Sequence, residues 1–158
     1  MPRLLQTRRT LLAAGAATFA TGLLPARASG LAPTPSMRGG SNNYRPGAPI
    51  VERIGGGGFM MNGTVRRAGS GAPLGNIRIQ IWAHTTEGHE RDWHSHGATL
   101  TNARGEFHLE MPQIVPAFGQ PHGHLAYDSG DFETVFLRPV MKSASDKSLS
   151  AHFVLQPA

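Results

Sequence analysis

From Phe59 onward the chain repeats a pattern of short apolar runs broken by turn residues. In "NIRIQIW", Ile77, Ile79 and Ile81 alternate with Arg78, Gln80 and Trp82. That period of two places one set of side chains on a buried face and the other on a wetter face of a strand. "GTVRR", "GHLAY", "ETVFLRPV" and "AHFVLQP" read the same way. "ATLTNARGEFHLEM" reads as strand, turn at Asn102–Gly105, strand, and "AGSGAPLG" is a Pro-containing turn. The pattern predicts about seven strands at regular spacing and no amphipathic helix. It implies an all-β chain folded as an antiparallel β-sandwich over residues 59–158.

The pattern stops before Phe59. Residues 29–58 are rich in Pro, Gly, Ser and Asn, lack an apolar period and include four consecutive glycines at Gly55–Gly58. They read as an extended arm or linker. Residues 1–28 have a charged start, an apolar middle from Leu11 to Leu24 and a small-residue end, Ala26-Arg27-Ala28. This is the layout of an export signal cut after Ala28. Arg8-Arg9, followed by Leu11-Leu12, makes it a signal of the twin-arginine type, and the expected location is periplasmic or secreted.

Charge changes the picture once the leader is set aside. The whole chain of 158 residues carries a formal +5, but residues 1–28 hold four arginines and no acid, so the remainder carries about +1. No basic patch is left for a phosphate backbone, which excludes nucleic acid as the expected partner. No membrane association is expected after signal removal, and the oligomeric state is open. With no cysteine, a metal would have to be held by imidazole, carboxylate, phenolate or water.

Histidine is where the chemistry concentrates. Six of the eight histidines fall in "WAHTTEGHERDWHSHG" (82–97) and "PHGH" (121–124). His122 and His124 are one residue apart, so on a strand both rings face the same side and reach one ion. His94 and His96 repeat that spacing. The segment 84–96 is expected to fold over the His122/His124 strand and complete a metal site. Other residues read more quietly: Trp82 and Trp93 line an aromatic pocket or pack on the core, Asp92 orients a histidine or is solvated, and His108 faces solvent. No serine-nucleophile motif or phosphate loop is visible.

The order "GTV", "PLGNIRIQIW", "GH", "HGATLTNARGEF", "PHGHL" and "FETVF" resembles the intradiol ring-cleavage dioxygenases, the catechol and protocatechuate group, over about Gly63 to Phe136. The resemblance implies an antiparallel β-sandwich. It also implies one non-haem iron held by two Tyr and two His, and a reaction that cleaves a catechol ring with O2. Residue by residue, the closing His-x-His matches His122 and His124. The first ligand tyrosine falls at Glu90, with His89 beside it, and the second falls near Phe118. The arginine that precedes the His-x-His in the family has no counterpart among Gly119, Gln120 and Pro121. Without the phenolates, a divalent ion is favoured. His122, His124 and Glu90 form a two-His-one-carboxylate set suited to Fe(II). His122, His124, His89 and His94 or His96 form a set suited to copper or zinc. Both sets stay open at this point. The functional expectation is an exported metal-dependent dioxygenase acting on a small catechol-like aromatic substrate and O2. The alternative is a non-catalytic periplasmic β-sandwich module that binds a metal or a polymer or carbohydrate ligand.

Overall fold

The structure is a computed structural model and describes residues 30–158. The leader assigned to residues 1–28 therefore lies outside the described residues. Seven strands form two sheets: β1 (Phe59–Arg67), β2 (Arg78–Ala83), β3 (His96–Leu100), β4 (Glu106–Met111), β5 (Gly123–Tyr127), β6 (Val135–Leu137) and β7 (Ser148–Leu155). Sheet I runs β4-β1-β7 and sheet II runs β3-β2-β5-β6. The pairings are antiparallel with one exception, β1 with β7, which run parallel from Met60 beside Ser148 to Arg67 beside Leu155. The chain is thus an all-β sandwich. Its one helical element among the described residues is the 3-10 turn Trp93–Ser95. No helix among those residues is long and apolar enough to cross a membrane.

The core lies between the sheets. Met61 and Val65 of β1, Phe107 and Leu109 of β4, and Phe153 and Leu155 of β7 face Ile79 and Ile81 of β2 and Leu125 and Tyr127 of β5. These residues alternate with outward positions as the strand period requires. The two outer faces differ. That of sheet I is wet: the exposed His152 meets half-buried Thr64, the exposed Ser150 donates to half-buried Asn62, and His108 is exposed as well.

The outer face of sheet II is covered. In β2 the inward isoleucines are buried, but so are the outward Gln80 and Trp82, both at 0% exposure. The expectation of a wetter face on β2 fails because residues 40–48 lie across it. The Gln80 side chain donates from Nε2 to Arg45 O (2.7 Å) and accepts at Oε1 from Ala48 N (3.2 Å). Trp82 Nε1 donates to Asn42 O (2.9 Å), and the Arg78 guanidinium donates to Ala48 O. The segment read from sequence as an arm or linker is pinned along its length. It pairs Leu31 with Gly69, donates from Met37 N to Phe136 O (2.7 Å), and bonds Pro49 O and Val51 N to Ala98 at the open edge of β3. These backbone bonds satisfy groups that an edge strand would otherwise leave open.

Candidate metal centre

The register of sheet II builds the site. Trp82 pairs with His96 on β3 and with His124 on β5, so three side chains stand in a row on the covered face. The indole is sandwiched between the two imidazoles. Its centroid lies 5.4 Å from His96 at 4° and 5.2 Å from His124 at 8°. His122, just before β5, is on the same side as His124, with its ring 4.9 Å away and nearly perpendicular. Gly123 between them points inward. A Cβ there would stand 2.5 Å from Met61 Cε of the opposite sheet, so a larger residue would require the methionine end to shift.

Each of the two histidines has its Nδ1 tied to a backbone carbonyl. His124 Nδ1 is 3.0 Å from Gly40 O, and His122 Nδ1 is 2.9 Å from Gln120 O. A carbonyl only accepts, so Nδ1 carries the proton and donates. In a neutral ring the lone pair is then on Nε2. Both Nε2 atoms turn toward Glu90 Oε2, at 3.1 Å from His124 and 3.5 Å from His122. Glu90 Oε1, the other oxygen, accepts from Asn43 Nδ2 at 2.7 Å. His122 and then His124 hold the Glu90 carboxyl well below the ordinary carboxylate range, against burial that pushes it up. Those bonds require a proton on each Nε2, or a cation standing in its place.

This geometry fits a cation. Glu90, His122 and His124 each offer one ligand atom, all within 4.8 Å of one another, and all three residues are buried. Two donors bound to one ion at about 2.1 Å stand about 3.0 Å apart at a right angle and about 3.4 Å apart at a tetrahedral one. The observed 3.1 Å lies inside that range and 3.5 Å just above it. With both Nδ1 protons committed to carbonyls, the space between the Nε2 atoms and the carboxylate calls for either extra protons or a metal ion. The carbonyl acceptors also supply the outer support typical of ligand histidines.

The structure brings together three of the six residues singled out from sequence. His96 is buried beside them, but its Nε2–H donates to the Glu90 backbone carbonyl (2.8 Å) and its Nδ1 faces the Gln80 amide (3.4 Å). Burial pushes this ring down, toward the neutral form, although the bond to Glu90 O pulls the other way. His96 therefore shapes the loop that carries Glu90. His89 accepts at Nδ1 from Arg91 N and Nε (both 3.2 Å) and packs edge-on against His84. His94, in the 3-10 turn, is exposed and its Nε2 meets Glu87 O (3.2 Å). Segment 84–96 does lie over the His122/His124 strand, but the group it sends into the centre is a carboxylate.

Further residues complete the surroundings. Asp92 accepts from His89 N (2.8 Å), a turn-closing bond within the loop. Trp93 is 43% exposed and stacks on His96 at 5.7 Å. Phe118, the position of the second expected tyrosine, is 82% exposed. Tyr127 is in the core, and Tyr44 of the arm packs on Trp82 and Phe136. No arginine directly precedes His122, but Arg138 brings a guanidinium nitrogen to 3.4 Å from His122 Nδ1. Asn43, Gly40 and Arg138 went unnoticed in the sequence. Only Asn43 gave a signal, as one of two adjacent asparagines in a turn-rich stretch.

Comparison with known proteins agrees at the level of the fold. No family model and no curated protein matches the chain. Solved structures do. A 3-chlorocatechol 1,2-dioxygenase from Rhodococcus opacus 1CP aligns over 73% of this chain and 70% of its own, with TM-score 0.55 and 16% identity. A hydroxyquinol 1,2-dioxygenase from Pseudomonas putida DLL-E4 aligns over 84% of this chain and 69% of its own, with TM-score 0.60 and 12% identity. A third match is the dioxygenase domain of a dioxygenase–carbohydrate-binding protein fusion from Streptomyces sp. SirexAA-E. It aligns over 80% of this chain and 99% of that domain, with TM-score 0.59 and 15% identity. The sandwich is the fold of the intradiol dioxygenases, and at such identities the likeness concerns the fold alone.

Proposed function

We propose that this chain is an exported, metal-dependent dioxygenase of the intradiol type, acting on a small catechol-like ring with O2. One observation carries the reading: His122 Nε2, His124 Nε2 and Glu90 Oε2 converge on one point in a fold otherwise seen in catechol, chlorocatechol and hydroxyquinol dioxygenases. Non-haem iron is the metal favoured by that likeness. A two-His-one-carboxylate set is the donor pattern of Fe(II) oxygenases, with copper or zinc as the competing ions. Once bound, the ion would supply Lewis acidity toward a vicinal diol and the redox chemistry that O2 requires.

The remaining work falls to the protein. His122 and His124 offer Nε2 as their ligand atoms because Gln120 O and Gly40 O hold their Nδ1 protons. Glu90 supplies the negative charge, its carboxyl held low by the same two imidazoles. Arg138 places a positive charge at the Nδ1 edge of His122, behind the ligand face. Trp82 and the arm keep water from the back of the ligand rings. The Streptomyces match covers nearly a whole dioxygenase domain, which supports the reading that a unit of this size suffices for the activity. The twin-arginine leader supports export to the periplasm or beyond.

A second reading, a metal-binding module without turnover, is favoured by the burial of all three ligand residues (Glu90 7%, His122 7%, His124 0% exposed). Structural metal sites are closed, whereas catalytic ones keep an open position. The test begins with metal analysis of the purified protein beside a His122→Ala/His124→Ala double variant. Metal in the native protein and none in the variant is expected; equal content in both removes the centre. Oxygen uptake with catechol or protocatechuate, after loading Fe(II), Fe(III) or Cu(II) in turn, then separates enzyme from module.

A further inference from the structure

The arm residue Asn43 has an unusual backbone and an unusual partner. Its φ is +58°, a left-handed conformation that side chains other than glycine rarely adopt, asparagine being the best tolerated of them. It donates from Nδ2 to Glu90 Oε1 at 2.7 Å, the length of a charge-assisted bond, across 47 residues of sequence. A left-handed residue that spends its side chain on a distant buried carboxylate points to a role at that carboxylate.

We infer that Asn43 is a positioning residue that keeps Glu90 a one-oxygen ligand, so that a bound cation retains open positions for other ligands. The inference rests on the metal reading of Glu90, His122 and His124. A carboxylate has two oxygens and can bind an ion through one or both. Here Oε1 is occupied by the Asn43 amide, while Oε2 alone faces the two imidazoles. Two imidazoles and a single oxygen supply three donors. The remaining positions of a five- or six-coordinate ion stay free for an incoming diol or other small ligand. If Oε1 were released, the carboxylate could swing to chelate and fill a fourth position. The neighbouring arm residues reinforce the arrangement. Gly40 O holds His124, and Asn42 O holds the Trp82 indole that stacks on His124. Asn43 thus belongs to a run of four residues, 40–43, that orients two of the three ligands.

The test uses Co(II), whose visible absorption reports coordination number, in the full-length protein and in Asn43→Gly. Glycine adopts the left-handed backbone freely, so this substitution removes the amide and leaves the turn. In the native protein, Co(II) should bind with weak visible bands of five- or six-coordination, and added azide should shift them. In Asn43→Gly the Co(II) bands should change in position or intensity. The azide response should weaken, and Co(II) affinity should drop by about tenfold to a hundredfold, the usual cost of losing an outer hydrogen bond to a ligand. Asn43→Asp, similar in shape but unable to donate, should also alter the bands. Unchanged spectra and an unchanged azide response in Asn43→Gly and Asn43→Asp overturn the inference even if affinity falls, because mere loosening of the arm would weaken binding without altering coordination. If the native protein binds no Co(II), or if His122→Ala/His124→Ala binds it equally well, the metal reading fails and takes the inference with it.

Discussion

Trp82 holds the ligand row together. One face of the indole lies on His124 and the other on His96, and its N–H is spent on Asn42 O. Trp82→Phe would keep an aromatic between the two rings but leave the Asn42 carbonyl unpaired and the ring smaller. The cost should be about 2 kcal/mol, the penalty for one orphaned buried acceptor together with a modest loss of packing. A urea titration checks it, and a change under about 0.5 kcal/mol would show that the bond to Asn42 contributes nothing. Residue spacing made the His122/His124 pair legible, because i and i+2 on a strand share a face. The same spacing misled at His94 and His96. One is in a 3-10 turn and the other opens β3, so the rule for strands does not join them. Glu90 was legible only through the family resemblance. Asn43 was legible only as part of a turn-rich stretch, since nothing local ties it to a carboxylate 47 residues away.

At the scale of elements, β2 shows what a period of two can and cannot reveal. The alternation of Ile79 and Ile81 correctly marks the core face. It is silent about what covers the other face, because the cover comes from a segment with no period of its own. The same burial reaches the end of the strand pair, where Arg78 NH1 stands 3.8 Å from Asp128 Oδ1, both side chains 22% exposed. Burial pushes the Asp128 carboxyl above the ordinary aspartate value and the Arg78 guanidinium below its ordinary value. The folded Asp128 then keeps its proton to a higher pH than the unfolded chain does. Its contribution to stability is full below the ordinary aspartate value and is lost as pH rises through the raised folded one. Asp128→Asn should remove that loss, so the difference in stability between variant and native protein should move in the variant's favour as pH rises from below the ordinary aspartate value toward neutrality. Glu90 acts with the opposite sign below the ordinary glutamate value, but it is common to both proteins and cancels. Urea midpoints at several pH values measure the difference. A flat difference across that range would mean that the pairing with Arg78 fully offsets burial.

For the whole molecule, the sandwich was readable because each strand announces itself locally, whereas the parallel pairing of β1 with β7 was not. That pairing joins strands at the two ends of the domain and leaves no mark on either. The arm follows the same logic on a larger scale. A Pro- and Gly-rich composition describes a segment that forms no strand of its own, and residues 40–48 nonetheless supply a third layer over sheet II. They bring carbonyls to His124, Trp82 and Gln80 and an amide to Glu90. Cutting the chain to begin at Gly47 would therefore do two things at once. It would expose the Trp82 face, which alone is worth about 2–3 kcal/mol of apolar burial, and it would strip the outer support from two of the three ligand residues. A domain's whole stability is only about 5–15 kcal/mol, so the shortened chain should melt at a clearly lower temperature and retain little metal. Both sheets and all seven strands remain in it, so a chain that only connects to the sandwich, without completing it, would be lost at no cost. Equal melting temperature and equal metal content in the two proteins would show that the arm is a tether and that the centre belongs to the sandwich alone.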